Sequence, residues 1–146
     1  MIGLKKLIQH IILFAIGGIS YYFIEILWRG YSYMTMFVLG GLCFVSIGLI
    51  NQHNSISKRP LLIQQAIACI IITSLELAFG LIFNLALGWG IWDYSRHKIN
   101  FMGQICLGYS ILWFFLSLPA IVLYGYLKYW LFGEKKPGYR LFRLNN

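Results

Sequence analysis

The stretch LLIQQAIACIIITSLELAFGLIFNLA, Leu61–Ala86, runs for 26 residues with one charged side chain, Glu76. A helix rises 1.5 Å per residue, so about 20 apolar residues cross a hydrocarbon core about 30 Å thick. This run is long enough to cross with some tilt. It is continuous rather than alternating and far exceeds strand length, so it does not read as a β-strand. Three further runs have the same character, at roughly 7–28, 33–50 and 104–126. The chain therefore reads as an all-α, polytopic membrane protein with four transmembrane helices in one domain, 1–133, followed by a basic cytoplasmic tail, 134–146.

Composition supports this. The 146 residues are 60% hydrophobic and 11% charged, where soluble domains carry about 25% charged residues. Mean hydropathy is +0.73. Four acids and twelve Lys/Arg are too few to cover a water-soluble core, so the apolar surplus faces lipid. The run from Leu7 resembles a signal peptide at its start, behind Lys5 and Lys6, but continues to Trp28. That is too long for a signal h-region and reads as a retained helix. Cys43, Cys69 and Cys106 lie in or beside apolar runs without C-x-x-C spacing. They suggest neither a disulfide framework nor a metal site.

The net charge of +8 is distributed by side of the membrane. Lys5, Lys6, Lys58, Arg59, Lys128, Lys135, Lys136, Arg140 and Arg143 fall on one side. Arg29, Arg96 and Lys98 fall on the other. Cytoplasmic loops carry the excess of Lys and Arg, so the first side is inside and both termini are cytoplasmic. Trp28, Tyr31, Tyr33, Trp89, Trp92 and Tyr94 mark the outer boundary; Tyr124, Tyr126, Tyr129 and Trp130 mark the inner one. Clustered cations between apolar runs fit anionic lipid headgroups rather than nucleic acid.

Glu76 is the main candidate for chemistry. A charge at the bilayer centre costs roughly 2.5–3.5 kcal/mol on insertion scales. It must face other helices or a water-filled cavity, or carry a proton, and it is a candidate for substrate or proton binding. Thr73, Glu76, Gly80, Asn84 and Gly88 recur at steps of three and four and share one helix face. Gly80 and Gly88, like Gly40 and Gly41 on the second span, are candidates for close helix packing. Glu25 and Arg29 are four apart and pair along the first span, at the mouth of a cavity or as an interface anchor. In GWGIWDYSRHKINFMGQ, Gly88–Gln104, Asp93 suits an Asx turn with Arg96 as ion partner. Asn100 and Gln104 suit the start of the fourth helix. With Tyr94, the candidates for substrate or proton binding are Glu76, Glu25, Arg29, Asn84, Asp93, Tyr94, Asn100 and Gln104. The segment reads as an ordered outer loop or as a lid over a cavity.

YYFIEILWRGYS and MFVLGGLCF (within Tyr21–Phe44), followed by Leu75-Glu76, WDYS (Trp92–Ser95) and N-x-x-GQICL (Asn100–Leu107), resemble the bacterial CmpB-like family of ABC-transporter permeases, type IV. The likeness spans roughly 21–132. Motif positions carried here are Glu25, Arg29, Gly30, Glu76, Trp92, Asp93, Tyr94, Ser95, Asn100, Gly103 and Gln104. This chain places Arg96-His97-Lys98 between the two loop motifs, where family members often differ. The resemblance implies a multi-pass transport protein of the cell membrane. Walker A, H-E-x-x-H, G-x-S-x-G and G-x-G-x-x-G are all missing from the sequence. No intrinsic ATPase, hydrolase or cofactor is therefore expected. A permease of four helices implies a homo-oligomer or other membrane subunits, with a separate ATPase as a further partner. The alternative is a non-transporting subunit that binds lipid, scaffolds or regulates an envelope system.

Overall fold

Residues Ile2–Arg29 form α1 in a computed structural model that describes residues 1–141. Arg143, counted above among the inner cations, lies outside the described residues. Helix α1 starts five residues before the apolar run, because Lys5 and Lys6 favour helix and extend it past the hydrocarbon. It stops where Gly30 turns left-handed (φ 84°) and its N–H donates to the Ile26 carbonyl at 2.8 Å. After an extended Tyr33, α2 runs Met34–Asn51. A short turn, α3 (Asn54–Ser57), leads to α4 (Leu61–Phe79), which Pro60 precedes. Gly80–Ala86 continues α4 as a π-helical segment. A two-stranded antiparallel ribbon follows, β1 (Asn100–Phe101) and β2 (Ile105–Cys106), and then α5, Leu107–Phe132.

Among the described residues, four helical spans are long and apolar enough to cross a membrane: α1, α2, α4 with its π segment, and α5. The chain is a multi-pass membrane protein of mainly helical fold. The fourth span is displaced from its expected place. Gln104 belongs to the ribbon turn, and the helix passes Tyr126 to end at Gly133 (φ 67°).

Helices α1 and α2 pack through reciprocal sockets. On α1, Gly17 receives the Phe44 side chain and Gly18 receives Phe37. On α2, Gly40 receives Tyr21 and Gly41 receives Phe14. A methyl group at Gly18 or Gly41 would stand 2.6 or 2.8 Å from its neighbour. Without a hydrophobic force between helices in lipid, such close approach supplies the packing attraction. Gly48 of α2 likewise receives the Tyr124 ring of α5.

The α4–α5 seam is polar. Gln65 Nε2 donates to the Phe114 carbonyl at 3.0 Å, and Cys69 Sγ donates to the Ser110 carbonyl at 3.1 Å. The Thr73 and Ser110 hydroxyls lie 3.4 Å apart. Residues 65, 69 and 73 form one stripe of α4, so every rung faces α5. Interhelical bonds of this kind average about 0.6 kcal/mol each in membranes. Pro119 sits inside α5 without ending it.

Helix α2 is central and touches α1, α4 and α5, whereas α1 rests almost wholly on α2. After α5 the chain turns back along the bundle. The Leu61 N–H donates to the Arg140 carbonyl at 2.7 Å, and the Tyr139 hydroxyl donates to the Ile121 carbonyl at 3.1 Å beside Gly125. Burial raises the Tyr139 phenol above its usual range. Lys128 bridges Gln52 at 3.0 Å and Glu134 at 2.9 Å. The stretch expected as a tail is thus docked along 134–140.

Candidate functional site

Glu76 is 3% exposed and accepts two hydrogen bonds. The Tyr94 hydroxyl donates to Oε1 at 2.8 Å, and Trp113 Nε1 donates to Oε2 at 3.0 Å. One donor comes from α5 and the other from the loop between the third and fourth spans. Both donors are neutral. Among the described residues no Lys, Arg or His nitrogen lies within 4 Å of this carboxyl group. The Tyr94 phenol is held well above its usual range, first by burial and then by the nearby Glu76 charge. It keeps its proton and acts as a donor.

The loop is built to deliver Tyr94. Asp93 Oδ1 accepts from the Ser95 N–H at 2.8 Å, and Oδ2 accepts from the Ser95 hydroxyl at 2.9 Å, which closes an Asx turn. These bonds hold the exposed Asp93 carboxyl below its ordinary range, with a smaller contribution from Arg96. The expected Asp93–Arg96 ion pair is not formed within 4 Å, because both acid oxygens turn back to Ser95. The Tyr94 N–H donates to the Gly103 carbonyl at 2.8 Å, and Trp92 Nε1 donates to the Gln104 carbonyl at 3.0 Å. The Tyr94 ring stacks on Tyr109, 4.7 Å between centroids and 11° between planes. Ile91 and Trp92 are buried with Met36 and Leu39 of α2.

Two other loop assignments change. Asn100 does not cap the fourth helix: it donates to the His97 carbonyl at 2.6 Å and accepts from the Gly103 N–H at 2.9 Å. Gln104 does not cap it either; it is buried against Gly80 and accepts from Asn84 Nδ2 at 2.9 Å. The ribbon intervenes, and α5 starts after Cys106 with no side-chain cap. Asn84 also accepts from the Ile91 N–H at 2.6 Å. The expected polar face of the third span thus holds from Thr73 to Asn84. Gly88 leaves it: its φ is 66° and nothing lies within 4 Å of an added Cβ, so it reverses the chain rather than packing a helix. Gly40, Gly41 and Gly80 do pack closely.

Glu25 and Arg29 form an ion pair at 2.6 Å, with side chains 15% and 21% exposed. The Tyr21 hydroxyl donates to Glu25 at 3.1 Å. Arg29 also donates to the Ile91 carbonyl at 3.0 Å and lies over Tyr31 and Tyr33, 4.7 and 5.6 Å from their centroids. This pair ties α1 to the loop, and Tyr21 links it to the Glu76 site, its ring 5.9 Å from that of Trp113.

A cavity of about 200 Å³ lies among α1, α2, α4 and α5. Its walls are nearly all apolar, and Glu76 is the one charged residue lining it among the described residues. Lining residues on α2 and α4 are mostly buried. Ser20 and Ile24 of α1 and Pro119 and Leu123 of α5 are exposed, so the mouth opens sideways between α1 and α5. A hydrogen bond from Trp28 Nε1 to the Tyr109 hydroxyl (3.3 Å) closes one end of this gap, and the Leu13–Phe44–Tyr124 cluster closes the other.

Trp113 was not among the sequence candidates. The available signal was a tryptophan remote from both aromatic belts, whose indole N–H needs an acceptor when buried. Gln65 and Cys69 were missed because their partners are backbone carbonyls, which no side-chain pattern marks.

The family described as "Putative ABC-transporter type IV" matches residues 11–133. No curated protein and no solved structure matches the chain.

Proposed function

This chain belongs to the family described as "Putative ABC-transporter type IV", and we propose that it is an integral membrane permease component in which Glu76 binds a small solute or a proton. One observation carries the reading: a buried carboxyl group with no basic partner among the described residues lines a cavity between the helices. A structural acid in lipid is normally paired, as Glu25 is with Arg29. Among the described residues, Glu76 has two neutral donors that orient it and no cation paired with it.

The loop acts as an ordered lid whose Tyr94 reaches down to the carboxyl group. Asn84, Asn100, Gln104 and Asp93 hold the lid's shape, and Glu25–Arg29 fastens it to α1. The cavity opens sideways, so a second copy or another membrane subunit completes the path, with energy from a separate ATPase. The protein resides in the cell membrane with both termini in the cytoplasm, where the basic end meets anionic headgroups and the ATPase.

The test reconstitutes the full chain into vesicles containing pyranine and imposes an inside-negative potential. Proton entry above protein-free vesicles is expected for the native chain, with loss on Glu76→Gln. A panel of labelled solutes tests the substrate arm. Unchanged flux in a folded Glu76→Gln variant would remove Glu76 from the mechanism. No flux of any kind from the native chain, alone or with an ATPase, would favour a lipid-binding, non-transporting subunit. The apolar, laterally open cavity suits that second role.

A further inference from the structure

We infer that the cavity beside Glu76 takes an amphipathic cation, an ammonium group on a single apolar body, which enters sideways from the lipid between α1 and α5. This rests on the reading above that Glu76 lies at a binding site, and it names the chemical class of ligand.

Three features support it. First, the walls and mouth are mostly apolar, with Ser20 the polar residue at the mouth, and Ile24 and Leu123 flank it, 43% and 38% exposed. An apolar body partitions into such a site. Second, the volume of about 200 Å³ exceeds a cavity of roughly 150 Å³ that accepts benzene, so one ring or a short alkyl chain fits. Third, Glu76 accepts on both oxygens from donors that carry no charge. A carboxylate offers about four lone-pair sites, so two remain for an ammonium group. An anion of this kind in a low-dielectric wall binds a cation more strongly than a neutral group of the same shape.

The depth of the site narrows the source. Glu76 lies ten positions before Ala86, the end of its span, or somewhat under about 15 Å along the helix, since the π segment rises less per residue than an α-helix. A bilayer phospholipid keeps its headgroup at the surface, so a free amine is the better match.

The test measures equilibrium binding of radiolabelled octylammonium to the full chain in phosphatidylcholine nanodiscs, with empty nanodiscs subtracted. Saturable binding is expected, with octanol a poor competitor. Glu76→Gln is expected to weaken it at least about tenfold, a loss of about 1.4 kcal/mol. Ile24→Trp, at the lipid-facing mouth, is expected to impair binding while leaving the carboxylate in place, which keeps the test open if Glu76→Gln does not fold. Adding phosphatidylethanolamine separates two sources of the same chemistry: retained binding favours a free amine, and displacement favours a lipid headgroup. Absence of saturable binding, equal affinity for octanol, or unchanged affinity in both variants overturns the inference. Amine binding without flux would keep this site and remove the transport reading. Glu76-dependent flux without amine binding would do the reverse.

Discussion

The Tyr94 hydroxyl, carried by a loop outside the helical bundle, donates a 2.8 Å hydrogen bond to the buried Glu76 carboxyl group. The loop and the third span are thereby one mechanical unit. Tyr94→Phe keeps the ring stacked on Tyr109 and removes this bond alone. The expected cost is about 1–2 kcal/mol, that of a hydrogen bond to a charged group moderated by the membrane reference state. Unfolding of Tyr94→Phe, Glu76→Leu and the double variant in detergent forms a cycle that reads the coupling, because leucine removes the acceptor that glutamine would keep. Additive effects would show that the contact contributes nothing.

The glycine sockets give a sharper contrast. Gly17→Ala places a methyl group into the Phe44 side chain, and Gly48→Ala places one into the Tyr124 ring. Each is expected to destabilise by about 1–3 kcal/mol through overpacking. Gly108→Ala meets nothing within 4 Å. It is expected to stabilise by a few tenths to about 1 kcal/mol by restricting the unfolded chain. Thermal unfolding of the three single variants checks the order.

Arg29 combines an ion pair, a carbonyl contact and two tyrosine faces. A lysine cannot reproduce the planar fork. Arg29→Lys is therefore expected to lose most of the anchoring, with faster amide exchange at Ile91–Ser95 than in the native chain. Amide hydrogen exchange by mass spectrometry provides the measurement, and native-like protection in the lysine variant would exclude a role for the guanidinium geometry.

The Asx turn at Asp93 carries a pH signature. Its carboxyl is held below the ordinary value by the Ser95 N–H and hydroxyl. A depressed folded value means the turn's contribution is fully present above the unfolded Asp range, about 3.9, and is lost as pH falls through the lower folded value. Exchange at Ser95 should stay flat from neutral pH to the ordinary carboxylate range after correction for intrinsic rates. It should rise only in stronger acid, and Asp93→Asn should remove that acid step.

Much of the architecture was legible in hydropathy. Leu61–Ala86 was readable as a span because its length and composition suffice, and Thr73, Glu76, Gly80 and Asn84 were readable as one face from their spacing. Three things were hidden for physical reasons. The start of α5 at Leu107 was obscured because Ile105-Cys106 is as apolar as a helix entry, whereas its conformation is set by the ribbon pairing of Asn100 with Cys106 and Phe101 with Ile105. The sockets at Gly17 and Gly18 depend on which aromatic ring arrives from α2, a tertiary fact. The Glu76–Trp113 bond joins residues 37 positions apart, and no local period links them.

Both donors to Glu76 lie later in the chain than Glu76 itself. During biosynthesis the third span emerges before Tyr94 and Trp113 exist to hold its acid. Its passage into the bilayer must therefore be carried by its own apolar residues, and it is the most hydropathic of the four spans. Substitutions that thin that apolar surplus, far from Glu76, should reduce the yield of inserted protein without altering the finished fold.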